Sequence, residues 1–87
     1  MNVEIRHSFV KDAKKLPPSK RILLEKIIQD ILDKKQLSEI TSCKKLTGFK
    51  TAFRIRFVSY RIGFFYENET VELVRVLNRK DIYKYFP

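Results

Sequence analysis

The stretch Phe53-Arg54-Ile55-Arg56-Phe57-Val58-Ser59-Tyr60-Arg61-Ile62-Gly63-Phe64 alternates apolar side chains with basic or small ones at a period of two. That period predicts extended chain with one face buried, because successive side chains in a strand point to opposite sides. With Val58-Ser59 as a turn, the two halves pair antiparallel, and directly opposed residues share a face. Phe53, Ile55 and Phe57 then lie with Tyr60, Ile62, Phe64 and Tyr66, while Arg54 and Arg56 lie with Arg61 and Gly63 on the other face. This register sets Arg56 against Arg61, and like charges directly opposed weaken a hairpin. A cluster that opposes folding needs another reason to exist, and a polyanion lying across the sheet supplies one.

The chain has 87 residues, which fits a single domain over residues 1–87. A domain of this size buries roughly 60–65% of its unfolded surface in one modest core. Nineteen Lys and Arg against ten Asp and Glu give +9. Such a field draws nucleic acid, anionic membrane or an acidic protein. No apolar run approaches the roughly 18 residues of a membrane-spanning helix. Met1–His7 alternates in polarity without an apolar segment, so the expectation is a cytoplasmic protein without a secretory signal. The single cysteine, Cys43, supports neither a disulfide framework nor a cysteine-rich metal site and reads as a packed thiol.

A helical third precedes a strand-rich third. Val3, Ile5 and His7 alternate with Glu4 and Arg6, predicting a short first strand. Phe9, Val10, Ala13 and Leu16 recur at helical spacing until Pro17-Pro18 ends the helix. Pro18-Ser19 opens a second helix whose apolar stripe is Leu24, Ile27, Ile28, Ile31 and Leu32. Leu37–Thr47 reads as polar and irregular, and Gly48 as a turn residue. After the hairpin, Glu67-Asn68-Glu69-Thr70 signals a second turn and Val71–Leu77 a third strand. The buried face of that strand depends on the loop length, which the residues leave open. Asn78 followed by Asp81 marks the start of a terminal helical turn, on which Arg79 and Tyr83 share a face. The expected class is α+β: a twisted antiparallel sheet against an N-terminal helical hairpin.

The order of elements resembles the RelE/ParE toxin superfamily. The same resemblance lies in Lys45-Leu46-Thr47-Gly48, in Arg54–Ile62, and in Val76-Leu77-Asn78-Arg79-Lys80-Asp81-Ile82-Tyr83. It implies the toxin of a toxin–antitoxin pair. One branch of that superfamily cleaves messenger RNA in the ribosomal A site, and another inhibits DNA gyrase and cleaves nothing. The RNA-cleaving branch implies attack of a ribose 2′-hydroxyl on the adjacent phosphate, for which no metal or other cofactor is needed. In that reading Arg54, Arg56, Arg61, Arg79 and Tyr83 are the catalytic set. Arg61 and Arg79 stabilise the phosphorane, Arg54 and Arg56 position the backbone, and Tyr83 stacks on a base or orients the hydroxyl. Lys44, Lys45, Lys50, Lys80 and Phe65 are expected RNA contacts. The implied partners are the ribosome, messenger RNA and an acidic, partly disordered antitoxin.

One role is unfilled at this level. Several superfamily members have lysines where this chain has Arg54 and Arg56, and arginine does not exchange protons near pH 7. His7 is distant in sequence and reads as structural or solvent-facing. Tyr83, Lys44, Lys45, Lys50 or a group from the ribosome or RNA stand as alternatives. Beside the nuclease reading stand a gyrase inhibitor and a basic nucleic-acid-binding module on the same scaffold.

Overall fold

In the computed structural model, which describes residues 1–87, the alternating stretch forms the hairpin its pattern predicts. Strands β3 (Ala52–Phe57) and β4 (Tyr60–Glu67) pair antiparallel, with Phe53 opposite Phe64, Ile55 opposite Ile62 and Arg56 opposite Arg61. Val58-Ser59 is the turn, and Val58 is held at φ +52°. For a β-branched residue this left-handed backbone costs roughly 1–2 kcal/mol.

Strand β5 (Thr70–Asn78) continues the meander through a two-residue loop, Asn68-Glu69, whose φ angles of +53° and +58° suit a tight hairpin turn. A bulge at Gly63/Phe64 shifts the pairing, so that Gly63 faces Arg75 but Phe64 faces Leu73. The bulge lets both sides of β5 be buried. Val71, Leu73 and Val76 enter the main core, whereas Val74 turns to the other face.

Two strands depart from expectation. Strand β1 (Asn2–Ile5) lies beside β5 and parallel to it, so the sheet, of order β1-β5-β4-β3-β2, is mixed and not wholly antiparallel. The segment read as irregular contains a 3₁₀ turn, Leu37–Glu39, and a short edge strand β2 (Cys43–Lys45) antiparallel to β3. His7 is not the end of the first strand but the first residue of helix α1 (His7–Lys14).

Helix α1 and helix α2 (Pro18–Asp33) cover one face of the sheet. Proline opens α2 because its missing N–H is one the helix leaves unpaired anyway. Phe9, Leu16, Leu24 and Ile31 pack there on Ile55, Phe57, Ile62, Phe64 and Val76. Each such side chain contributes about 1.5–3 kcal/mol when fully buried. Of the α2 stripe, Ile27 and Ile28 are half-buried and Leu32 is exposed.

Beyond β1, the edge of β5 is covered by α1. The Arg6 amide donates to Leu73 O at 2.9 Å, Ser8 Oγ to Val74 O, and the Val76 amide to Asp12 Oδ2 at 3.1 Å. Asp12, only 6% exposed, also receives Arg75 Nε at 2.7 Å and Nη2 at 3.1 Å. A buried carboxylate is thereby fully paired, and no open strand edge remains at that point.

On the opposite face helix α3 (Arg79–Tyr85) seals a second, smaller core of Ala52, Val74, Ile82 and Phe86. The remainder of this face, toward the β3–β4 turn, is not covered.

Candidate active site

The uncovered part of the sheet forms a cleft of about 360 Å³. Arg54 and Arg56 from β3 and Arg61 from β4 line it, joined by Arg79 and Tyr83 from α3 and by Ser42 and Lys44 beside β3. Five cations thus converge without one acidic side chain. The strand period and the register put three arginines on one face, and the chain reversal after β5 returns the other two groups to it.

Three local devices fix α3 over the sheet. Asn78 caps it, its Oδ1 accepting the amides of Lys80 at 2.9 Å and Asp81 at 3.0 Å. The Arg79 amide donates to Ser59 O at 3.0 Å, tying the start of the helix to the strained hairpin turn. At the far end Phe86 rests on Gly63, where an added Cβ would lie 2.5 to 2.9 Å from the ring carbons. Glycine at this strand position is what allows the close approach. Arg79 and Tyr83, one helical turn apart, then face the cleft together, and the Arg54 guanidinium lies 5.2 Å from the centre of the Tyr83 ring. Arg61 is steadied by its own turn, with Nη1 donating to Tyr60 O at 2.9 Å and Val58 O at 3.4 Å.

Electrostatics follow from the crowding. Desolvation holds the Arg61 guanidinium below its ordinary value; Tyr83 offsets this, while Arg56, Arg79 and Arg54 add to the lowering. Desolvation raises the Tyr83 phenol, but the charges of Arg54 and Arg79 and their approach to its oxygen prevail, and its pKa falls below the usual tyrosine value. The chemistry of such a surface suits a dianionic or polyanionic group, which paired guanidinium forks can engage.

The residues expected from sequence separate into two groups. Arg54, Arg56, Arg61, Arg79, Tyr83 and Lys44 come together in the cleft. Lys45 is opposed to Phe53 and so belongs to the other face of the sheet, and the exposed Lys50 and Lys80 do not line the cleft. Phe65 shares the arginine face but packs against Phe86, at 5.2 Å between ring centres, with Arg6 5.6 Å away over its ring. His7 is exposed on α1, outside the lining. Ser42 joins the site unforeseen: at φ +61° it ends the loop into β2, and its carbonyl accepts the Arg56 amide at 3.2 Å. Its neighbours are polar without periodicity, so no sequence signal marked it. Gly63 and Phe86, which set the height of α3, were equally silent.

No family model matches the chain. A curated relative, toxin RelE3 of Methanocaldococcus jannaschii, is 38% identical over the full length of both chains. Among solved structures, the RelB-RelE antitoxin-toxin complex from Methanococcus jannaschii contains a chain 36% identical. It superposes with a TM-score of 0.83, covering 97% of this chain and 99% of that one. The RelBE2 toxin-antitoxin complex from Mycobacterium tuberculosis gives 25% identity and a TM-score of 0.73 over 90% and 96% of the two chains.

Proposed function

This chain belongs to the RelE toxin family, and from that premise we propose that it cleaves messenger RNA on the ribosome and is held in check by an antitoxin. The observation that supports this reading is the convergence of Lys44, four arginines and Tyr83 on one open sheet face. Relatives at 38% and 36% identity are RelE toxins, which favours RNA cleavage over gyrase inhibition.

The chemistry follows from the residue types. A ribose 2′-hydroxyl is already tethered beside its 3′-phosphate, so the protein must align it, neutralise the growing charge on phosphorus, and move two protons. Arg61 and Arg79, meeting from β4 and α3, pair the non-bridging oxygens. Arg54 and Arg56 on β3 hold the flanking phosphates, and the exposed ring of Tyr83 offers a face for a base, worth about 1–3 kcal/mol. The product is a 2′,3′-cyclic phosphate and a free 5′-hydroxyl.

An antitoxin partner is supported by the RelB-RelE and RelBE2 complexes among the similar structures. No helix here is long and apolar enough to cross a membrane. The reading is tested by Arg61→Ala and Arg79→Ala in a translation reaction with mapping of message ends. Each variant should fold normally and cleave about 10²–10³-fold more slowly, the usual loss for one strong electrostatic donor. Full-rate cleavage by the double variant would refute the assignment.

A further inference from the structure

We propose that Lys44 is the proton donor to the departing 5′-oxygen in this cleavage, an assignment that rests on the ribonuclease reading above. Transesterification at phosphorus makes two demands that the arginines do not meet. A proton must leave the 2′-hydroxyl as its oxygen bonds to phosphorus, and another must reach the 5′-oxygen as that bond breaks. A guanidinium, titrating above about pH 12, neutralises charge but does not readily exchange protons near neutrality. Within the lining, only Lys44 and Tyr83 are of residue types whose reference pKa, about 10, allows proton exchange.

Their placement divides the labour. Lys44 is directly opposed to Arg54 from the sheet edge, and such partners have Cβ atoms about 4.5–5.5 Å apart. Tyr83 reaches the same Arg54 from α3, which packs on β4 and β5 on its other side. An in-line displacement sets the attacking and leaving oxygens on opposite sides of phosphorus, so acid and base must flank the phosphate. Arg54 thus has Tyr83 on one side and Lys44 on the other, and a scissile phosphate paired by Arg61 and Arg79 at the border of Arg54 would be flanked by both. The alternation along β2 selects this lysine, since Lys45 belongs to the opposite face and Cys43 packs into the core side. No carboxylate or imidazole lines the cleft to compete.

The direction of transfer follows from the charge types. Lysine is an ammonium at neutral pH, an acid with three N–H donors. Tyr83 is drawn toward phenolate by Arg54 and Arg79 and is the acceptor. In the balanced step the Tyr83 phenolate takes the 2′-hydroxyl proton while the 2′-oxygen–phosphorus bond forms. The phosphorus–5′-oxygen bond breaks, and one Lys44 N–H proton passes to that oxygen. Proton exchange with water then returns both side chains to the forms that react.

The experiment compares an ordinary message with one carrying a sulfur atom in place of the bridging 5′-oxygen at the mapped cleavage site, both on programmed ribosomes. A thiolate leaves without protonation. Lys44→Ala and Lys44→Arg should each lose about 10²–10⁴-fold on the ordinary message, the range for general acid catalysis, and lose less than about 10-fold on the sulfur-bridged one. Restoration of the ordinary rate by Lys44→Arg would reduce Lys44 to a charge and overturn the proposal. An equal loss on both messages would also overturn it, because the defect would not lie in leaving-group protonation. If the unaltered protein cleaves neither message, the ribonuclease reading itself fails and this role falls with it.

Discussion

Tyr83 is the residue at which the arginine cluster has a measurable consequence. The residue is 58% exposed. Desolvation works against ionisation, yet the neighbouring Arg54 and Arg79 charges outweigh it and lower the phenol pKa. The native state therefore binds this proton less tightly than the unfolded chain, whose tyrosine titrates near about 10. The linked stability is complete above that value and is lost as pH falls through the lowered native pKa. With labelled tyrosine, the Tyr83 ζ-carbon should titrate below the ordinary tyrosine value. Arg54→Ala should move its midpoint upward. An unmoved midpoint would show that Arg54 does not set the phenol's environment.

At the scale of elements, the position of α3 decides whether the site exists, and Gly63 decides the position of α3. A methyl group at residue 63 would overlap the Phe86 ring and push the helix end away from the sheet. Overpacking of this kind costs about 1–3 kcal/mol. Gly63→Ala should lower the midpoint of thermal unfolding, leave the far-ultraviolet dichroism of the sheet and α2 unchanged, and slow message cleavage by moving Tyr83 off Arg54. An unchanged midpoint would mean that the ring is not clamped there. None of this was legible in the residues, because Gly63 reads only as one more small side chain in an alternating strand. The β3–β4 register was legible, since a two-residue turn and a strict period leave few alternatives. The register of β5 was not, because the bulge at Gly63/Phe64 changes which side chains face the core partway along the pairing. The β2 strand is three residues long and pairs on one side only, too short for a period to show. The parallel course of β1 is set by where two helices return the chain, which alternation in Val3 and Ile5 does not report. The arginine site was legible for the same reason as the hairpin, and Asn78 announced the turn of helix that completes it.

The whole molecule is electrically polarised along β4. Arg61 stands near one end of that strand, in the cleft, and Glu67 ends it with Glu4 nearby, while Glu72 at that end is paired with Arg6 at 2.8 Å. Six residues of extended chain separate the two ends by about 20 Å. A net charge of +9 draws a polyanion from any direction, whereas this asymmetry turns the cleft toward it. Affinity for RNA or ribosomes should fall steeply with salt, because every phosphate neutralised releases condensed counterions. Arg54 and Arg56 lie on the cleft floor, so replacing both with alanine removes two phosphate contacts at the centre of the footprint. On single-stranded RNA, at about 0.7 per phosphate, the slope of log affinity against log salt should flatten by about 1.4. Replacing Lys11 and Lys15, exposed on the helical side, should leave the slope unchanged. The measurement is a salt series of binding isotherms for the three proteins, each kept inactive by Arg61→Ala so that the RNA survives. If the helix pair flattens the slope and the strand pair does not, the anion lies across α1 and the sheet cleft is not its seat.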